Sequence, residues 1–265
     1  MGTIVGVVNQ KGGVGKTTTA VNLAAGLASL GKKILIVDFD PQGNTTTGFG
    51  IKKKNLGSTT YEVVTGQCRP EEAIVSTDIK NIKIMPANAR LSDAEPQLTN
   101  MEQKNYQLRK AVLQVKDNYD IVIIDSLPSL GVLAINALVA CNSIIVPMVC
   151  EHFAREGLAQ LMYTIKAVKQ KFNRELMIMG IVFTMVGKRL TSGLEIKNDI
   201  ISAFDSKAIF KTEIPRNVTI SEAQSHGQPV TVYDKKSKGS EAYLKLSKEV
   251  LSRIREMERA NGKKN

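Results

Sequence analysis

Lys11-Gly12-Gly13-Val14-Gly15-Lys16-Thr17-Thr18 stands between an apolar run, Ile4 to Val8, and an alanine-rich segment, Ala20 to Ala28. The first reads as a buried strand and the second as a helix. Strand, glycine-rich turn and helix is the context a phosphate-binding loop requires. The glycines let the backbone curl so that successive N–H groups face phosphate oxygens. The following helix offers its own N-terminal N–H groups to the same anion. In this reading Lys16 reaches the β- and γ-phosphates and the Thr17 hydroxyl ligates Mg²⁺. The strict pattern G-x-x-x-x-G-K-[ST] does not fit, because its first glycine would fall at Gln10. An additional lysine, Lys11, stands in the loop instead.

Working outward, the chain reads as alternating strands and helices. Strands are expected at 33–38, 82–86, 119–125, 143–149 and 176–184, with a short one ending near Ile214-Pro215. Several are near-continuous apolar runs, as expected of strands covered on both faces. Helical patterns fill the gaps, notably 102–116, 154–171, 191–204 and 239–258. The expected fold is α/β, a doubly wound, mostly parallel twisted sheet with helices on both faces. One domain is expected over 1–265, with 259–265 a disordered polar tail.

Composition narrows the function. Hydrophobic residues make up 43% of the 265, ample for a core, while aromatics are 5% and Trp is absent. No apolar run approaches the roughly 18–20 residues a membrane span needs. The start, Met1-Gly2-Thr3-Ile4, lacks a basic region followed by an apolar signal segment. Cys68, Cys141 and Cys150 have no metal-ligand spacing, and so sparse a set suits a reducing cytoplasm. Cys141 and Cys150 are expected to be small core residues. His152 and His226 sit with no nucleophile pattern. The net charge of +11 is uneven: residues 151–265 hold 21 basic against 13 acidic residues. Such a half suggests a polyanion partner, although solvated surface lysine gives the same count.

Two further stretches carry chemistry. The second strand ends in Asp38-Phe39-Asp40-Pro41-Gln42-Gly43-Asn44. Carboxylates at the C-terminal end of a strand face the crevice where α/β folds bind ligands. There they can hold Mg²⁺ through water or orient the water that attacks a γ-phosphate. The same residue types also build ordinary turns. Ile121 to Asp125 is an apolar strand ending in Asp, the Walker B arrangement. An acid there can bind a Mg²⁺-coordinating water.

The loop variant, K-G-G-V-G-K-T-T at 11–18, is a deviant Walker A motif and resembles the ParA/MinD family of P-loop ATPases. D-F-D-P-Q-G-N at 38–44, I-I-D-S-L-P-S-L-G at 123–131 and C-E-H-F-A-R-E-G-L at 150–158 extend the resemblance to small, Soj-like partitioning ATPases. I-P-R-N-V-T-I-S-E-A-Q-S-H-G at 214–227 and Y-D-K-K-S-K-G-S-E-A-Y at 233–243 complete it, in family order and spacing.

The resemblance implies ATP and Mg²⁺ as cofactors. It implies that Lys11, Gly12, Gly13, Val14, Gly15, Lys16, Thr17 and Thr18 bind the nucleotide, with Thr17 on the metal and Asp125 supporting it through water. Lys11 would cross to the partner subunit's nucleotide in an ATP-bound sandwich dimer and neutralise charge on the transferred phosphoryl. Asp40 would position the attacking water. Pro215, Arg216 and Asn217 match a segment near adenine, and Glu151 a residue near the nucleotide across the dimer.

The resemblance also implies non-specific DNA and a ParB-like centromere-binding protein as partners. It implies weak basal ATP hydrolysis and a cytoplasmic, nucleoid-associated location without membrane attachment. Candidates for DNA contact are Lys188, Arg189, Arg216, Lys235, Lys236 and Lys238. Two positions depart from the family pattern. Leu127 replaces a proline after the Walker B strand, and Thr219 stands where arginine is common in a DNA-binding stretch.

A MinD-like membrane-positioning ATPase is the alternative. It needs an amphipathic terminal helix with exposed apolar residues, and the last residues here are polar. A nitrogenase-iron-protein-like reductase needs cluster cysteines after Asp125, and 126–140 holds none. An amide-forming biosynthetic ATPase is disfavoured by the partition-type C-terminal motifs.

Overall fold

The computed structural model describes the chain except Met1, Leu130, His152, Phe153, residues 188–190 and residues 263–265. Of residues 191–194, 206 and 261–262 it describes the backbone only. The first half builds β1 (Thr3–Val7), α1 (Lys16–Ser29), β2 (Ile34–Phe39), α2 (Asn44–Gly48), α3 (Thr60–Val64) and α4 (Pro70–Ala73). β3 (Val75–Ser76), β4 (Ile82–Met85), α5 (Ala94–Thr99), α6 (Gln107–Val115) and β5 (Ile121–Ser126) follow. The second half builds α7 (Val132–Ala140), β6 (Ser143–Met148), α8 (Ala154–Lys171), β7 (Met177–Phe183), α9 (Thr191–Ala203), α10 (Val218–Ser225), α11 (Val230–Tyr233) and α12 (Lys238–Gly262).

Among the described residues seven strands pair in the order β3-β4-β2-β5-β1-β6-β7. All neighbours are parallel except the edge pair β3–β4. This is the doubly wound, mostly parallel α/β sheet that the apolar runs predict. Side chains alternate across it. Leu35, Val37, Phe39, Val122 and Ile124 pack into one core with α6, α7 and α8. Ile34, Ile36, Ile121 and Ile123 pack into the other with α1 and α12. The two-residue period of a strand sorts consecutive apolar residues onto both faces, so both layers must be covered.

Helix α1 lies close against α12. A Cβ on Gly26 would stand 2.1 Å from the Ser247 hydroxyl oxygen, so only glycine permits this approach. Tyr243, Leu246, Val250 and Ile254 of α12 are buried in the same layer.

Four expectations need correction. No sheet strand forms near Ile214-Pro215. Pro215 makes a single bridge to Val186, because proline has no N–H to extend a ladder. The helix expected from 102 begins at Gln107, since Gln103 sits in the left-handed region at φ 54° and breaks the helical path. The two-residue β3 was not anticipated, being too short to show a periodicity. Helix α12 continues through Gly262, into the stretch read as a frayed tail. Arg259 and Ala260 are good helix formers and extend an already packed helix.

Candidate functional site: a phosphate-loop pocket

The glycine-rich loop joins β1 to α1 at the C-terminal edge of the sheet, where ligands bind in open α/β folds. Gly13 and Gly15 have φ of 73° and 85°, a region costly for any side chain, and Gly15 caps α1. At Gly13 a Cβ would meet nothing within 4 Å, so backbone conformation, not crowding, demands the glycine.

The loop is pinned from both sides. The Asn9 amide donates to the Pro147 carbonyl (2.7 Å), and its oxygen accepts from Lys11 N–H (3.0 Å). The Thr184 hydroxyl, beyond the end of β7, donates to the Val14 carbonyl at 2.8 Å. Sequence reasoning missed both anchors. Asn9 adjoins the motif and was open to notice, whereas nothing local marks Thr184.

Lys16 is buried, and its ammonium donates to the Lys11 carbonyl at 3.0 Å. Burial pushes its pKa down, opposed by the charges of Asp125 and Asp40. Lys11 pairs with Glu151 of its own chain, Nζ to Oε2 at 2.7 Å. Both groups are partly exposed, so the pair is weak and easily exchanged.

Asp38 and Asp125 face each other in register on β2 and β5. Asp125 Oδ2 accepts the Thr17 and Thr45 hydroxyls, each at 2.7 Å. Its Oδ1 is buried without a hydrogen-bond partner. Burial raises the Asp125 pKa to about 6 despite those hydroxyls. Asp38 accepts Thr46 N–H (2.8 Å) and the Thr46 hydroxyl (2.6 Å). Burial, then the Asp125 charge, pushes Asp38 up to about 7. Asp40 is buried, and its Oδ1 accepts Gln42 N–H at 2.9 Å. Among the described residues no three His, Cys, Asp or Glu side chains are grouped to hold a metal alone. The orphaned Asp125 oxygen beside the Thr17 hydroxyl suits a hydrated Mg²⁺ whose other ligands are phosphate oxygens and water.

A pH dependence follows. Asp38 has a raised folded-state pKa, so its protonated form stabilises the fold fully below about pH 4. That contribution is lost as pH rises toward about 7. In EDTA, wild-type stability should fall relative to Asp38→Asn across this window, by at most on the order of 4 kcal/mol. Urea unfolding at pH 4.5, 6 and 7.5 measures the difference. Parallel profiles would remove Asp38 as its source.

The remaining predicted residues divide. Arg216 N–H bonds to the Val186 carbonyl (3.1 Å), which fixes the Pro215-Arg216-Asn217 segment beyond β7. Asn217 stands at the N-cap position of α10 without a side-chain cap bond and keeps a buried, unpartnered Oδ1. The Thr18 hydroxyl reaches Gln224 of α10 at 3.5 Å, bringing that helix to the loop. Arg216, Lys235, Lys236 and Lys238 are exposed. A Cβ on Gly239 would stand 3.7 Å from Asn217 Cγ, so the two basic segments adjoin. Lys188, Arg189 and His152 lie outside the described residues. Leu127 is half-buried and packs on the core. Thr219 is half-buried in the first turn of α10. Cys141 is fully buried, and Cys150 is half-buried with its thiol pushed up to about 11. His226 stacks near Tyr233, ring centroids 5.1 Å apart.

Residues 2–178 match a family described as AAA domain. The sporulation initiation inhibitor protein Soj of Bacillus subtilis is 45% identical over 250 residues, covering 94% of this chain and 98% of Soj. The chromosome partitioning protein ParA of Caulobacter vibrioides is 44% identical over 255 residues, covering 96% and 95%. A Mycobacterium smegmatis structure described as cobyrinic acid a,c-diamide synthase with ADP and magnesium superposes with a TM-score of 0.85 at 34% identity, covering 96% of each chain. The cell division ATPase MinD of Pyrococcus furiosus gives 0.78 at 27%, covering 95% of this chain and 99% of MinD. With a deviant phosphate loop, a Walker B aspartate in register beside it and these relatives over nearly its whole length, the chain belongs to the ParA/Soj family of chromosome partitioning ATPases.

Proposed function

We propose that the chain acts as a single P-loop domain whose ATP-bound form is a sandwich dimer that holds DNA without regard to sequence. A ParB-like protein then stimulates hydrolysis and releases it. The observation that carries this reading is the 43–44% identity to chromosome partitioning proteins over nearly the full length. The partition relatives are more similar in sequence than the biosynthetic enzyme at 34%. Bound Mg²⁺ would draw charge from the phosphates, and Thr17 and Asp125 are the residues to hold it, Asp125 through water. Lys16 neutralises β- and γ-oxygens. Lys11 exchanges Glu151 for the partner subunit's nucleotide. Asp40 orients the attacking water, and Pro215, Arg216 and Asn217 lie along the base. No described helix is long and apolar enough to cross a membrane. The MinD-like alternative needs free apolar residues on α12, yet Tyr243, Leu246, Val250 and Ile254 are buried against the sheet layer. The location that fits is the cytoplasm, on the nucleoid.

DNA retention with ATP, ADP and no nucleotide tests the reading. ATP alone should give strong retention, since dimerisation doubles the phosphate contacts. With about three phosphates neutralised per subunit, log K should fall with log[salt] at a slope near about −5. Replacing Arg189 and Lys236 with Glu should weaken all DNA sequences alike and spare ATP binding. Retention without nucleotide, or preference for one sequence, contradicts the scheme. Capture by anionic liposomes in place of DNA favours the MinD-like alternative.

A further inference from the structure

A cavity of about 600 Å³ opens at the opposite edge of the sheet, between the β3–β4 hairpin and the segment that follows α6. Lys33 lines it just before β2, while Asp40 follows β2 at the other end. The length of that strand puts roughly 20 Å between the two. The cavity is therefore separate from the phosphate loop.

Its walls are held by bonds to the backbone. The Thr77 hydroxyl donates to the Ile79 and Ile82 carbonyls at 3.2 and 3.0 Å and so clamps the hairpin turn. Asn81, at φ 68°, offers its carbonyl to Ile34 N–H at 2.8 Å. Asp120 N–H donates to the Lys33 carbonyl at 2.9 Å, tying the starts of β2 and β5 together. A site built on paired strands keeps its shape without a ligand.

Beside neutral polar residues such as Ser76, Asn81 and Asn118, the lining has an apolar and a charged part. Ile74, Ile79, Ile82 and the ring of half-buried Tyr119 form an apolar wall. Lys33, Lys80 and Lys83 bring three positive charges against one acid, Glu71. Three nearby carboxylates are engaged elsewhere, while Asp78 lies in the hairpin turn itself beside Lys80. Asp120 accepts Lys33 N–H at 2.7 Å and pairs with Lys32, Asp117 pairs with Lys116, and Glu72 with Arg69. Among the described residues none of the three cavity lysines forms an ion pair. Unpaired cations around a concave apolar wall of this volume match the general make-up of a small-molecule site.

We propose that this cavity binds a small organic anion with a planar apolar body, its phosphate, sulfonate or carboxylate held by Lys33, Lys80 and Lys83 and its body laid against Tyr119 and the isoleucines. The site is independent of the nucleotide reading and is tested with the phosphate loop occupied.

The probe is 8-anilinonaphthalene-1-sulfonate, titrated into the full chain with saturating Mg-ADP. Saturable one-site fluorescence enhancement is expected, weakening with salt. The Lys80→Glu/Lys83→Glu double variant should lose about ten-fold in affinity, because reversal of exposed charges turns attraction into repulsion. Both lysines are exposed, and circular dichroism is the check that the variant folds. Amide shift mapping should place the largest changes at residues 33, 80–83 and 118–119. Absence of saturable binding overturns the proposal. So does unchanged affinity in the double variant, or shifts centred on the apolar groove between Leu158 of α8 and Ile200 of α9.

Discussion

Lys16→Ala should abolish ATP binding, and with it dimerisation and DNA retention. The buried ammonium is the one cation of the loop facing both Asp125 and Asp40, and its present partner is a neutral carbonyl 3.0 Å away. Phosphate oxygens would replace that carbonyl with a charge-assisted bond in a largely dry pocket. Losing such a contact costs about 3 kcal/mol or more, at least about a hundred-fold in Kd. Removal also leaves Asp40 and Asp125 without their intervening cation, so the triphosphate meets uncompensated negative charge. Equilibrium dialysis with labelled ATP, with a thermal melt to confirm folding, measures the effect. Near-normal affinity would rule out the phosphate-loop assignment.

Asp40→Ala should keep ATP binding, nearly stop turnover and accumulate an ATP-bound dimer. The carboxylate is buried at the C-terminal end of β2 and spends one oxygen on Gln42 N–H. Its proposed work is orienting water, which matters in the transition state more than in nucleotide binding. A positioned acid–base group contributes about 10²–10⁴ in rate, so phosphate release should drop at least about a hundred-fold. Asp40→Asn separates chemistry from structure, because its side-chain oxygen can still accept Gln42 N–H. Both variants should show the dimer by light scattering with ATP. A monomer, or full turnover, in the Asn variant sinks the role given to Asp40.

Much of this was legible in the chain. Continuous apolar runs such as Ile121–Ile124 announce strands covered on both faces, and Gly13 and Gly15 before Lys16 announce a phosphate loop. Each signal is contained in a few neighbouring residues, where backbone sterics and side-chain periodicity act locally. Tertiary structure decided what joins distant segments. It set β5 between β1 and β2, and that pairing brings Asp125 to Thr17, 108 positions away. It delivered Thr45 to the same carboxylate and Thr184 to the loop carbonyl of Val14, 170 positions distant. It placed Asp38 opposite Asp125, where burial raises both pKa values and the Asp125 charge lifts Asp38 further. Thr17 and Asp125 each carry a motif that points to the metal, but the contacts of Thr45, Thr184 and Asp38 have no sequence signature. A hydroxyl or carboxylate acquires its partner only when crossover helices set strand order and register, and those depend on burying both faces of the sheet at once.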